Sequence, residues 1–170
     1  MAPLRPDVSM EHQSPSRPTL VEVAMLARRG LEPGLDQASG GQAISAGACL
    51  HASILLAVML QRFGPWHVEI RGGGDGFAGA RDTRGVLRGH YWAVAFDPSG
   101  ESFVVDITAD QFGYAPVEVI PSAQAAGRYV AGPQEDVDRV VAEEASALGC
   151  EDLVRAGRRG EAESEVQGCR

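Results

Sequence analysis

The sequence predicts a small α+β domain, with a buried helix near the N-terminus packed on a small antiparallel sheet. Three observations predict it. Residues 49–60 are apolar on nearly every face of a helix, the pattern of a helix covered on several sides. Residues 90–96 and 101–107 are rich in β-branched and aromatic types. They flank Asp97-Pro98-Ser99-Gly100, a turn, and so predict an antiparallel hairpin. The chain has 170 residues, 44% of them hydrophobic, which makes one domain large enough to bury a core.

Taken in order, residues 1–18 hold four prolines and few apolar side chains, and read as a flexible arm. Thr19-Leu20-Val21-Glu22 fits a capping box that opens a helix, and Gly30 is placed to end it in a left-handed cap. Residues 31–48 are glycine-rich and read as a loop. The buried helix from Cys49 runs to Gly64-Pro65. Residues 66–71 alternate as a strand does. Residues 72–89 read as a Gly/Asp/Arg-rich loop, a mobile cover whose glycines permit hinge motion. The hairpin follows, then a short strand at 117–120. A final helix at 134–148 carries Val137, Val140, Val141 and Ala145 on one face. The predicted layout is an arm (1–18), a catalytic α+β domain (19–132), and an acidic C-terminal helix and tail (133–170). From Gln134 on there are ten acids and five arginines, the composition of a solvated surface.

Composition excludes several chemistries. All 15 basic residues are arginine, so a Schiff-base lysine, a Walker-type lysine and a Ser–Lys dyad are ruled out. Codon bias in a GC-rich genome is the simplest origin of that count. A net charge of -8 predicts no nucleic-acid partner. The longest apolar run, 54–60, is too short to cross a membrane, and residues 1–6 hold no signal-peptide core. Three cysteines, Cys49, Cys150 and Cys169, form a poor disulfide framework and predict a reducing, cytoplasmic setting.

Three residues fit the needs of nucleophilic catalysis. Cys49 stands at the start of the buried helix, where the partial positive charge of the N-terminus favours a thiolate. His90 opens the hairpin and Asp106 lies near its end. Folding the hairpin about Pro98 and Ser99 sets His90 opposite residue 107, one residue from Asp106. A carboxylate beside a histidine orients the ring and stabilises its cation. Each residue alone has an ordinary structural explanation; their order and register together carry the reading.

This order, a cysteine at a helix start, a histidine on one strand and an aspartate on the next, resembles the papain-like and transglutaminase-like cysteine enzymes. The matching stretches are Gly47-Ala48-Cys49 through Leu60, Gly89-His90-Tyr91-Trp92 and Val104-Val105-Asp106-Ile107-Thr108. The resemblance implies a papain-like core, with Cys49, His90 and Asp106 as the catalytic residues. It implies acyl transfer on an amide through a thioester: peptide hydrolysis, glutamine deamidation or transamidation. Papain-like peptidases place a glutamine six residues before the cysteine to bind the oxyanion; here Gln42 stands seven before. Trp92 shares a strand face with His90, and Thr108, Asp110 and Gln111 follow at a polar strand exit. Trp92, Thr108 and Gln111 are thus further candidates for the site, although core packing and loop capping explain these residues equally well.

No cofactor and no metal are expected. Gly74–Gly79 matches GxGxxG, but no helix opens after it. His67-Val68-Glu69 matches the zinc deaminase H-x-E without the Pro-Cys-x-x-Cys that must follow. Cys49 and His51 diverge on a helix. The expected partner is a peptide, a protein glutamine or a small amide. The rival readings are a non-catalytic binding or regulatory module of the same fold, and a biosynthetic acyltransferase acting on a small molecule.

Overall fold

The computed structural model describes residues 19–39, 47–74 and 76–150, with the side chains of 35–39 left aside. The arm 1–18, Gln42, Cys169 and the tail beyond residue 150 lie outside the described residues.

The first helix, α1 (Leu20–Ser39), opens on the expected capping box. The Thr19 amide donates to the Glu22 carboxylate at 2.6 Å, and the Glu22 amide donates to Thr19 Oγ1 at 3.3 Å. Gly30 does not end it, and residues 31–39 are helix rather than loop. The inner stripe explains why. Leu20, Val23, Ala24, Ala27 and Leu31 all pack into one core, so helical periodicity continues across Gly30. A mid-helix glycine costs about 1 kcal/mol relative to alanine, less than burying a leucine returns. Pro33 forfeits one amide bond, to the Arg29 carbonyl, and is carried within the helix.

The second helix, α2 (Cys49–Phe63), buries Ala52, Ser53, Ile54, Leu56, Ala57 and Leu60. It stops where the Gly64 amide caps the Leu60 carbonyl at 3.0 Å. A Cβ at position 64 would lie 2.0 Å from the Trp66 ring, so a larger residue there would displace that side chain. The chain then turns into β1 (His67–Gly73), which runs back along α2.

Residues 72–89 are not an irregular cover. They contain β2 (Gly79–Arg81) and β3 (Leu87–Arg88), which with β7 (Tyr129–Val130) form a second sheet of order β3-β2-β7. Asp82 holds the turn between β2 and β3 by accepting the Arg84 and Val86 amides at 2.9 and 3.0 Å. Ala78 and Ala80 are buried, so the segment is anchored on both sides of Gly79. Strands of two or three residues carry no readable alternation, which is why the composition reads as loop.

The main sheet is antiparallel, with order β1-β4-β5-β6, where β4 is His90–Phe96, β5 is Ser102–Asp106 and β6 is Glu118–Pro121. The hairpin register differs by one from that expected. Ala93 pairs with Val105 and Phe96 with Ser102, so paired numbers add to 198. The turn sets this: the Asp97 amide donates to the Glu101 carbonyl at 2.9 Å, and Gly100 takes φ +89°. That is a three-residue loop with a left-handed glycine, one residue longer than a two-residue turn. A one-turn helix, α3 (Ser122–Ala125), leads to β7, and α4 (Gln134–Ala147) closes the fold. Glu135, Asp136 and Glu143 face out while Val137, Val141 and Ala145 are buried, and Asp138, Val140 and Glu144 are half-buried. Gly132 and Gln134 cover the outer edge of β1, donating to the Gly72 and Ile70 carbonyls at 3.0 and 2.9 Å.

The sheet therefore separates two clusters. Ala93, Ala95 and Val105 face α1, α2 and α4, while Trp92, Val94 and Val104 face Phe112, Ala125 and Tyr129. The architecture is α+β, with helices packed on an antiparallel sheet. Among the described residues no helix is long and apolar enough to cross a membrane.

Candidate active site

Cys49 is the first residue of α2, and no side chain caps the helix at Ala48. The opening amides of a helix have no intrahelical acceptor, so the sulfur sits where the helix field is positive. The half-buried thiol is hydrogen-bonded to the His90 ring and accepts the Tyr91 amide. Burial pushes the thiol up, but the His90 hydrogen bond and charge and the Tyr91 amide outweigh burial and the opposing Asp106 charge. The net position is below the ordinary value.

His90 opens β4 and is 0% exposed. Its Nε2 meets Asp106 Oδ2 at 2.7 Å. The register places Asp106 across from Trp92 on the same sheet face, one step diagonally from His90. Burial alone would lower the imidazolium. The hydrogen bonds to Asp106 and Cys49, and their negative charges, instead raise His90 to about 9. Phe112 holds the ring edge-on, with centroids 4.6 Å apart.

Asp106 is saturated with donors. Oδ1 accepts the Thr108 amide at 2.9 Å and the Thr108 hydroxyl at 3.1 Å; Oδ2 accepts the Tyr129 hydroxyl at 3.0 Å as well as His90. Burial pushes the carboxyl up, but these donors and the His90 charge hold it below the usual carboxylate range. It stays an anion inside a nearly dry site.

The other candidates divide. Gln111 is in the site: its Nε2 lies 3.2 Å from His90 Nδ1 and donates to the Thr108 carbonyl at 2.9 Å. Thr108 is 1% exposed and spends its polar groups on Asp106, so it lies behind the site rather than lining it. Trp92 is 2% exposed, stacked 6.1 Å from the His90 ring, and belongs to the core beneath. Gln42 lies outside the described residues.

Sequence reasoning missed two supports. Tyr129 arrives from the second sheet, 23 residues after Asp106, with no local signal. Arg28 did leave one, a charge interrupting the buried stripe of α1. Its guanidinium is buried and donates to the Ile107 carbonyl at 2.8 Å and to Asp110 at 2.7 Å, tying α1 to the turn that carries Gln111. Beside Tyr91, a cavity of about 260 Å³ lies between Gly72, Gly73 and Gly74 on one side and Asp136, Arg139 and Val140 of α4 on the other.

Chemically, the arrangement provides a nucleophile, a proton carrier touching it, and a fixed anion behind the carrier. Among the described residues no group of three or more His, Cys, Asp or Glu gathers as metal ligands do. Comparison of the chain with protein-family models, curated proteins and solved structures finds no match.

Proposed function

We propose that the protein is a cysteine enzyme that transfers the acyl group of an amide through a thioester. One observation carries the reading: a single buried ring, His90, bridges the Cys49 sulfur and the Asp106 carboxylate. Cys49 gives its proton to His90 and its sulfur attacks the carbonyl carbon. The C–N bond then breaks and the departing amine takes the proton from His90, leaving a thioester. Water or an amine, deprotonated by His90, attacks next and regenerates the thiol. Asp106 keeps the ring in one orientation and balances its positive charge.

The substrate class under this reading is a peptide, a protein glutamine or a small amide, and the setting is the reducing cytoplasm, where a thiolate persists. The order of the three residues, on a helix and two adjacent strands, also supports kinship with papain-like and transglutaminase-like enzymes.

The test is the alkylation rate of each cysteine against pH, read by peptide mass spectrometry. Cys49 is expected to react at least tenfold faster than Cys150 near neutral pH, and His90→Ala to remove the difference. Equal rates in the native chain, unaltered by His90→Ala, would defeat the proposal.

A further inference from the structure

Two half-buried side chains meet over one buried ring. Nε2 of His90 is spent on Asp106, so Cys49 and Gln111 share the Nδ1 side. The ring, Asp106 and Thr108 are 0%, 1% and 1% exposed, so Cys49 and Gln111 are the members that solvent, and hence an arriving carbonyl, can reach.

The Gln111 amide nitrogen carries two hydrogens. One is anchored on the Thr108 carbonyl at 2.9 Å. The other points at Nδ1 from 3.2 Å, and Nδ1 accepts it only while it holds a lone pair. Once Nδ1 takes the Cys49 proton, that hydrogen has lost its acceptor, beside the newly formed thiolate.

We propose that Gln111 is the side-chain donor to the substrate's carbonyl oxygen, and that it is free for that task whenever Nδ1 holds the proton beside the Cys49 thiolate. This rests on the Cys49, His90 and Asp106 reading. In the attack the S–C bond forms, and the carbonyl π pair moves onto oxygen. That oxyanion accepts the freed Gln111 hydrogen alongside the Cys49 amide. When the pair returns, the C–N bond breaks and the amine leaves with the proton from Nδ1. Nδ1 is then again a lone pair, and Gln111 returns to it.

Such a donor is effective only if it is fixed before the reaction. Gln111 sits in a 3-10 turn, Ala109–Phe112, closed by the Gly113 amide on the Asp110 carbonyl at 3.0 Å. Arg28 clamps the entry to that stretch, through the Ile107 carbonyl and both Asp110 oxygens at 2.7 and 3.2 Å. Arg28 and Asp110 are thus positioning residues for Gln111.

Two reagents separate the step from its background in the full-length chain. Iodoacetamide alkylates a thiolate at saturated carbon and creates no oxyanion; p-nitrophenyl acetate acylates it through one. Gln111→Met keeps the length of the side chain without a donor. It is expected to leave Cys49 alkylation within threefold of the native chain, and to slow its acylation about 100-fold, the usual cost of one oxyanion donor. Gln111→Leu, uncharged and also without a donor, repeats the test should the methionine variant not fold, and the same split is expected. Loss of both rates by one factor, or of neither, overturns the proposal. A native chain whose Cys49 reacts with iodoacetamide no faster than Cys150 overturns instead the reading on which it rests.

Discussion

The two faces of the β4–β5 hairpin are built from alternate residues of the same strands, yet they hold together by different physics. On the helix side, Ala93, Ala95 and Val105 meet Leu56 and Leu60, with no polar side chain needed. On the other side, His90 and Asp106 are equally dry, but their polar atoms are matched by each other, by Thr108 just past β5, and by partners from α2, the 3-10 turn and β7. Apolar contact is non-directional and tolerates small shifts. The polar face works only in one geometry, because an unpaired buried polar group costs more than a made bond returns. Substitutions on either face should therefore cost stability, but only those on the polar face should reach reactivity.

The sharpest separation is Asp106→Asn. With the carboxylate gone, the ring loses its orienting anion and the cation its counter-charge. Acylation of Cys49 by p-nitrophenyl acetate should fall by about 10²- to 10⁴-fold. On the helix face, Leu56→Ala should cost about 2–5 kcal/mol in denaturant unfolding and leave the acylation rate of the folded protein within about twofold. If Leu56→Ala slows acylation as Asp106→Asn does, the two faces are not independent and the comparison fails.

These faces were not equally legible in the sequence. The helix face was, because periodic apolar residues announce both a helix and a buried strand side; Cys49, His90 and Asp106 followed from order and hairpin register, with an error of one residue that a three-residue turn introduced. Partners contributed from afar were not. Tyr129 reaches Asp106 from a strand of two residues, too short for any pattern. Arg28 reaches Asp110 across 82 positions. Periodicity sees burial, not which polar atom a distant side chain will meet. Nor could turn signals foresee that α1 would continue through Gly30, since the packing of Leu31 outweighs a local preference.

A smaller effect reads the polar face through pH. His90 is raised to about 9 in the fold, from 6.5 in an unfolded chain. Its stabilisation is therefore complete below pH 6.5 and is lost as pH rises through about 9. The lowered Cys49 works in the opposite sense, contributing above its unfolded value and losing that contribution as pH falls. Cys49→Ser should thus unmask the alkaline decline of His90 in denaturant midpoints between pH 6 and roughly 10, and Asp106→Asn should flatten it. A flat profile in Cys49→Ser would mean that the ring carries no extra proton.

The smallest effect belongs to Tyr129→Phe, and it measures how far the second sheet supports the polar face. Burial and the Asp106 charge push the phenol above its ordinary range, so it remains a donor throughout. Removing it takes one of four donors from Asp106 and leaves the His90 contact at 2.7 Å untouched. A hydrogen bond to a charged group is worth about 1.5–3 kcal/mol, and that loss should appear in unfolding free energy. Acylation of Cys49 should change by less than about tenfold, because the ring keeps its anion. A larger loss of rate with little loss of stability would place Tyr129 with His90 and Asp106, and β7 would then be part of the chemistry rather than its support.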